Sequence, residues 1–365
     1  MPTPIENFAL RHVLTDSTTV SVERMREGIS SLNYKIDPCQ SSSETQRKSY
    51  VLTLFPNPSD WWKMEKEVYL RTVVENDPDV LIPQLIDTGE DKLDGQRVGF
   101  LLREFVEGND LDKTFEQKGS AELNTLDWQN LVEDFGFRLA SLHVHRLGYF
   151  GIITGFQPPV SKQTWRGFIE NQLANEASGI SECNQGRKFG LVTPQMILDL
   201  VPSLLDSLQD RFFSLETVSL PALVHGDMRF ANVVAGRNDV FSLAIRSFID
   251  WEWALAGDPE IDLAYAENWL QFSLYKDKFM RYGSNFIIGY RRKMEISKNY
   301  QEKRLIYHAL RSLNYLRNVF LYQPDNFTSL DPRFASYVEG HFKIIESIAG
   351  GKGLQDLGIL PILPN

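Results

Sequence analysis

The segment LVHGDMRFANVVAG, residues 223–236, sets His225, Gly226, Asp227 and Asn232 between short apolar runs where a strand or core segment would otherwise continue. Beyond it, ANVVAG and VFSLAIRSFID read as two strands joined by the turn residues GRND, a hairpin whose closure brings Asn232 and Asp250 side by side. An amide oxygen and a carboxylate presented together are hard oxygen donors, which suit Mg²⁺ better than zinc or copper. Asp227 lies at the same end. A carboxylate beside such a metal pair can take the proton of a hydroxyl that attacks phosphorus. The plain alternative is a polar loop between strands with no chemistry.

Those groups need elements to hold them. Residues 20 to about 106 read as strands interrupted by one helix. LNYKI (32–36) and SYVLTLF (49–55) alternate with the two-residue period of half-buried strands and predict an antiparallel pair joined by DPCQSSSETQRK. SDWWKMEKEVYLRTVVEN (59–76) predicts a helix capped by Ser59 or Asp60, with Trp62, Tyr69 and Val73 at helical spacing. VGFLLREFVEG (98–108) predicts another strand, ended by Gly108. From about 120 onward helical patterns dominate, apart from the strand-rich island at 221–251. EASGISECNQGRKFG (176–190) reads as an exposed loop or a helix interruption, and GGKGLQDLGILPILPN as a helix stop followed by irregular chain. The change of texture near 106–110 divides the chain into a lobe over residues 1–106 and a larger one over 107–365. The expected class is α+β, with a small antiparallel sheet and a mainly helical second lobe.

At 365 residues the chain exceeds the usual single-core size, and 42% apolar residues suffice for that core. Thirty-eight basic against 48 acidic side chains give a formal charge of −10, which opposes a phosphate backbone, so nucleic acid is not expected as a partner. Cys39 and Cys183 belong to no CxxC pair or zinc-spaced cluster, which fits a reducing cytosol. No apolar run approaches the ~20 residues of a spanning helix. The opening MPTPIENFALRHVLTDS lacks the basic end and apolar stretch of a secretory signal. A soluble, cytoplasmic protein without a membrane partner is expected.

Three stretches in order, HGDMRFAN with His225, Asp227 and Asn232, FIDWEWA with Asp250, and GDPEIDLAY from Gly257 to Tyr265, resemble the linked signatures of the aminoglycoside phosphotransferase and choline kinase superfamily. LASLHVHRLGYFG, with His143, and NFIIGYRR extend the likeness over nearly the whole chain. The resemblance implies a protein-kinase-like bilobal fold that phosphorylates small molecules. It implies Asp227 as the catalytic carboxylate, and Asn232 and Asp250 as holders of the Mg²⁺ that bridges the phosphates of ATP. Arg229 falls where protein kinases place a lysine that neutralises the transferred group, although an arginine there can equally be solvated. His225 and Asp262 are implied as structural, orienting the loop by hydrogen bonds. Asp258 before Pro259 reads as a helix start.

For the nucleotide, the family implies a phosphate-facing turn, a basic residue on the third strand and a glutamate on the helix after it. REGISSLNYKI offers Gly28, Ser30, Ser31 and Asn33 for the turn, and Glu67 occupies the helical glutamate position. The expected strand lysine is Thr53, with Val51 on the same face beneath the adenine. A threonine cannot neutralise phosphates, so Lys35, Lys48 or Arg26 substitutes, or Mg²⁺ carries more of the charge, or nucleotide is bound without turnover. GISSLNYKI with YVLTLF is similar to the homoserine kinase branch of the superfamily, in which a threonine in this context accompanies active enzymes. Glu104, Phe105 and Val106 are the expected adenine contacts, through main-chain atoms.

The acceptor must approach Asp227 from the helical lobe, where Glu267, Asn268 and Trp269 follow on the helix opened by Asp258. Glu267 is a candidate partner for an amine and Trp269 a stacking surface, against a core role for Trp269 with Ile261 and Tyr265. Glu252 is a further candidate for metal or substrate. The expectation is an ATP- and Mg²⁺-dependent phosphotransferase acting on a hydroxyl of a small, amine-bearing metabolite or antibiotic. One alternative, motivated by Thr53, is a catalytically weak or inactive nucleotide-binding regulatory module. A second, transfer to a protein side chain, finds no recognisable activation segment between Asp250 and GDPEIDLAY.

Overall fold

The computed structural model of the chain describes residues 2–13, 19–25, 31–39, 48–116, 125–156, 163–237, 243–273, 276–323 and 332–359. Its first part is built on one sheet. Helix α1 (Pro4–His12) opens on a capping box between Thr3 and Glu6. Strands β1 (Val20–Arg24), β2 (Leu32–Pro38) and β3 (Tyr50–Phe55) follow, then helix α2 (Trp62–Val74) and strands β4 (Leu85–Leu93) and β5 (Gln96–Glu104). The sheet order is β1-β2-β3-β5-β4, antiparallel throughout. The period-two pattern decides its two faces. Ile36, Leu52, Leu54, Phe100 and Leu102 pack with Phe8 and Ala9 of α1, whereas Asn33, Val51, Thr53, Leu101 and Arg103 face a cleft.

Three expectations for this part change. Helix α2 is entered through a 3₁₀ turn, Pro58–Asp60, capped by neither Ser59 nor Asp60 but by Asn57, whose side chain accepts the Ser59 N–H at 3.1 Å. Pro58, pre-set at the first helical position, leaves Asn57 as the last extended residue. Strand β5 ends at Glu104, so Phe105 and Val106 leave the ladder and line the cleft. Strand β4 leaves no mark in the pattern because LIDTGEDKL is an edge strand with no fully buried residue, and so carries no apolar alternation.

The second part continues through strand β6 (Asn109–Asp110) and helices α3 (Leu111–Glu116) and α4 (Thr125–His143). Strand β7 (Gly151–Ile152), helices α5 (Trp165–Ser181) and α6 (Pro194–Leu208) and strands β8 (Ala222–Val224), β9 (Val233–Arg237), β10 (Leu243–Phe248) and β11 (Leu255–Gly257) come next. Helices α7 (Glu260–Leu270), α8 (Lys276–Met280), α9 (Gly283–Arg291), α10 (Tyr300–Tyr322) and α11 (Pro332–Ala349) complete it. Residues 176–181, expected in an exposed loop or a helix interruption, form the last turns of α5, and Glu176 is buried there. The small sheets β10-β9-β6 and β7-β11-β8 sit among the helices. One apolar cluster joins α4, α7 and α9 to the β9/β10 hairpin, and another joins α5, α6, α10 and α11. The whole is the expected α+β fold, with a small antiparallel sheet and a mainly helical second part, and a cleft of about 1160 Å³ is bordered by the sheet, α2, the β9/β10 hairpin and α10. Among the described residues no helix is long and apolar enough to cross a membrane.

Candidate active site

The HGD loop follows the short buried strand β8 and turns sharply at Gly226, whose φ is +77°. A Cβ on Gly226 would stand 2.1 Å from the carbonyl oxygen of Trp253, so only glycine allows this close approach. One buried carboxylate fixes the loop from below. Asp262 Oδ2 accepts the His225 N–H at 2.8 Å and Oδ1 the Gly226 N–H at 2.9 Å. The His143 ring donates to Asp262 at 3.1 Å and accepts from the Tyr290 hydroxyl at 2.8 Å. The His225 ring donates from Nε2 to the Ile249 carbonyl at 2.9 Å, tying the loop to the residue before Asp250. His225 and Asp262 thus touch the loop and not the cleft.

Asp227, 3% exposed, projects from this loop toward the cleft. The Asn232 amide nitrogen donates to its carbonyl oxygen and to Oδ2, both at 2.9 Å, which reserves the amide oxygen for another partner. The Ile249 N–H donates to the Asn232 carbonyl at 3.0 Å, and the β9/β10 register pairs Val233 with Phe248, so the hairpin does bring Asn232 and Asp250 to one rim. Asp250 adopts the left-handed conformation, φ 66° and ψ 65°. Arg229 spans the group, with Nε 3.2 Å from Asp227 Oδ2 and a terminal nitrogen 3.9 Å from Asp250 Oδ2. Partial desolvation at the cleft and the neighbouring Asp227 charge hold the half-exposed Asp250 carboxyl above the usual range. Crowded carboxylates beside a neutral amide oxygen form a donor set that suits a hard divalent cation. Among the described residues no group of three or more His, Cys, Asp or Glu side chains is arranged to hold a metal ion.

The cation opposite Glu67 is an unexpected one. Arg103 of β5 donates to Glu67 Oε2 at 3.1 Å and Oε1 at 3.3 Å, and to Thr53 Oγ1 at 2.6 Å. Thr53 in turn donates to Asn33 Oδ1 at 2.7 Å. The pairing of Val51 with Arg103 across the sheet explains the reach, because it places the long arginine beside the shorter threonine on the same face. Neither Lys35 nor Lys48, two of the cations expected from sequence, stands here. Lys35 pairs with Asp37 at 3.1 Å, Lys48 lies 3.5 Å from Glu104, and Arg26, like Gly28 and Ser30, lies outside the described residues. Ser31 lines the cleft. The Glu104 N–H donates to Gln84 and that of Phe105 to Ser49, so Val106 is the position whose N–H meets no partner among the described residues. Lys66, 1% exposed, donates to the Glu252 carbonyl at 2.6 Å, and burial pushes its ammonium down to about 7.

On the acceptor side one expectation is overturned. Glu267 does not face the cleft. Its carboxylate accepts from Tyr300 at 2.8 Å and from Arg304 at 2.7 Å, and lies 3.3 Å from His308, in a fully enclosed network. Burial would push this carboxyl up, but the His308 hydrogen bond and the Arg304 charge outweigh it and hold it below the usual range. Asn268 is also interior, 3.2 Å from the His308 ring. Asp258 Oδ1 accepts the Glu260 N–H at 3.1 Å and Oδ2 the Tyr307 hydroxyl at 2.6 Å, so it starts α7. Glu252 pairs with Lys63 of α2 at 2.7 Å. Trp269 is only partly buried and lines the cleft. Arg311 of α10, which sequence reasoning passes over, donates to Asp227 Oδ1, and its guanidinium lies 5.2 Å from the ring centres of both Tyr265 and Trp269. The available signal for Arg103 and Arg311 is a single positive charge that follows an apolar run, GFLLR, and one inside the apolar stripe of a helix, ALRSLNYL.

A model of the phosphotransferase enzyme family (APH) matches residues 21–296, more than half of the chain. The chain belongs to that family. Among solved structures, this APH-family chain is similar to a thermostable mutant of aminoglycoside phosphotransferase APH(4)-Ia in ternary complex with AMP-PNP and hygromycin B, at 17% identity and a TM-score of 0.62, over 96% of this chain and 99% of that one. The microcompartment-associated aminopropanol kinase matches at 15% identity and a TM-score of 0.62 over 98% of both chains. The GDP complex of a mutant aminoglycoside 2'-phosphotransferase of type IIIa matches at 17% identity and a TM-score of 0.53, over 94% of this chain and 97% of that one. No curated protein matches the chain.

Proposed function

We propose that this APH-family chain transfers the γ-phosphate of ATP to a hydroxyl of a small molecule, with Mg²⁺. The observation that carries this reading is that Asn232 is hydrogen-bonded to Asp227 and, through Ile249, tied to the residue before Asp250, while Asp227 and Asp250 line the cleft. Asn232 and Asp250 would hold the ion, which when bound supplies positive charge to the phosphate oxygens. Asp227 orients the attacking hydroxyl and takes its proton, and Arg229 offsets charge on the transferred group. The similar APH(4)-Ia structures in ternary complex with AMP-PNP or ADP and hygromycin B support a nucleotide and a small-molecule acceptor in such a cleft.

On the nucleotide side, Arg103 takes the part of the third-strand lysine. It pairs with Glu67 and stands beside Thr53 on the cleft face, where a cation neutralises the α and β phosphates. Thr53 therefore no longer speaks for a non-catalytic module. Val51 and Leu101 form the apolar wall for the adenine, with the Val106 N–H as its hydrogen-bond donor. Ser31 and Asn33 border the phosphate end. The test is ADP release from ATP over a panel of small alcohols, with and without Mg²⁺. Acceptor-dependent ADP that disappears on chelation supports the reading, and nucleotide binding with no turnover of any acceptor or of water contradicts it.

A further inference from the structure

Several buried donors on the acceptor side lack acceptors among the described residues, Arg311 and Trp269 among them. Arg311 is 7% exposed and its guanidinium makes one bond, to Asp227, while its Nε has no partner among the described residues. The Trp269 indole N–H is likewise buried and unpartnered among them. Both residues line the cleft. Arg229 lies on the same indole, 5.6 Å from a Trp269 ring centre, so two guanidiniums share one aromatic shelf beside Asp227. A guanidinium carries five N–H donors, and unmet buried donors are costly unless an acceptor arrives.

Three carboxylates around this shelf are already engaged. Asp227 is held by Arg311, Asn232 and Arg229. Glu176 accepts from Asn314 at 3.0 Å and Arg317 at 3.2 Å. Glu267, the residue first expected to bind an amine, is enclosed away from the cleft. Guanidinium donors left unmet here favour a planar anion that can accept two parallel N–H bonds.

We propose that the acceptor bears a carboxylate as well as the hydroxyl, and that Arg311, on the Tyr265 and Trp269 rings, is its anion-binding residue. This rests on the phosphotransferase reading and names its substrate class as short hydroxy acids. Binding of the carboxylate draws Arg311 off Asp227 and frees Oδ1 for the acceptor hydroxyl. In the transfer the hydroxyl oxygen bonds to the γ-phosphorus, the bond from that phosphorus to the β–γ bridging oxygen breaks, the hydroxyl proton passes to Asp227, and ADP leaves. The base is thereby uncovered only when an acceptor is present, which suppresses transfer to water.

The experiment compares matched acceptors under saturating ATP and Mg²⁺: glycerate, serine and homoserine against their carboxamides, and against ethanolamine and 3-aminopropanol. A hydroxy acid turned over with a kcat/KM about a hundredfold or more above its carboxamide supports the proposal. Arg311→Met should then raise the acceptor KM by about a hundredfold with the ATP KM unchanged, and Arg311→Lys should recover part of the loss. Amino alcohols turned over as well as the acids, or ATP hydrolysis without turnover of any acid, overturns the proposal and leaves the phosphotransferase reading standing. Failure of the wild-type chain to bind ATP at all removes both.

Discussion

Replacing Arg103 tests how a strand without its lysine manages phosphate charge. In Arg103→Met, Glu67 keeps only Arg71, at 3.6 Å, and the cleft loses the cation that stands beside Thr53. The Arg103 side chain is 17% exposed, so solvent screens it incompletely. A charge pair about 4 Å apart at an effective dielectric constant of about 20 is worth about 4 kcal/mol, and desolvation of the arginine takes back up to about half. The net loss, about 2–4 kcal/mol, corresponds to an affinity for ADP and ATP lower by about 30- to 1000-fold. The assay is titration calorimetry with ADP and with adenosine. Because adenosine has no phosphates, its affinity should change less than about threefold. Adding Thr53→Lys to Arg103→Met should restore most of the ADP affinity, since it returns the cation to the third strand within reach of Glu67. The reasoning is refuted if the single variant binds ADP like wild type, or if adenosine and ADP weaken together.

Gly226→Ala forces a Cβ against the Trp253 carbonyl at a φ of +77° and should cost about 3 kcal/mol, read as a lower denaturant midpoint with an unchanged slope; an unchanged midpoint would show that the loop relaxes freely. Lys66→Met should stabilise the chain by about 3 kcal/mol at pH 6 and by progressively less as the pH rises from 7 toward 10.5. The sign follows from the folded-state pKa of about 7 against 10.5: between those values the folded chain binds fewer protons than the unfolded one, so wild type gains stability with rising pH, whereas the methionine does not titrate. Urea unfolding of both proteins at pH 6 and pH 9.5 measures it, and a pH-independent difference would contradict the burial of a charged Lys66.

Legibility in the sequence follows how local each signal is. Strands β2 and β3 and helix α2 can be read because their apolar spacing is set by a packed face, and the β9/β10 hairpin because its turn residues separate two apolar runs. Edge strand β4 cannot, since an element with little buried surface leaves no periodic mark. At the rim, Asp227, Asn232 and Asp250 share one loop and hairpin, so spacing alone brings them together. Arg103 and Arg311 depend on contacts across the sheet and across 84 positions of chain, to Thr53 and Asp227, which no window of sequence contains. Glu267 escapes for a related reason. Helical spacing puts it near the site but cannot show that Tyr300 and Arg304 of α10 cover it. The length of α5 is hidden because Gly179 and Ser178 look like loop residues, while Leu173, Glu176 and Ile180 are held by the neighbouring core.

The most direct test of the phosphotransfer centre is acceptor-dependent ADP release by Asp227→Asn, measured beside ADP affinity. Removing the carboxylate leaves Arg311, Arg229 and the Asn232 amide in place but no group able to take the hydroxyl proton. Turnover should fall by about 10²- to 10⁴-fold while ADP affinity stays within about threefold of wild type. Turnover at the wild-type rate would contradict the assignment of Asp227 and, with it, the centre built around it.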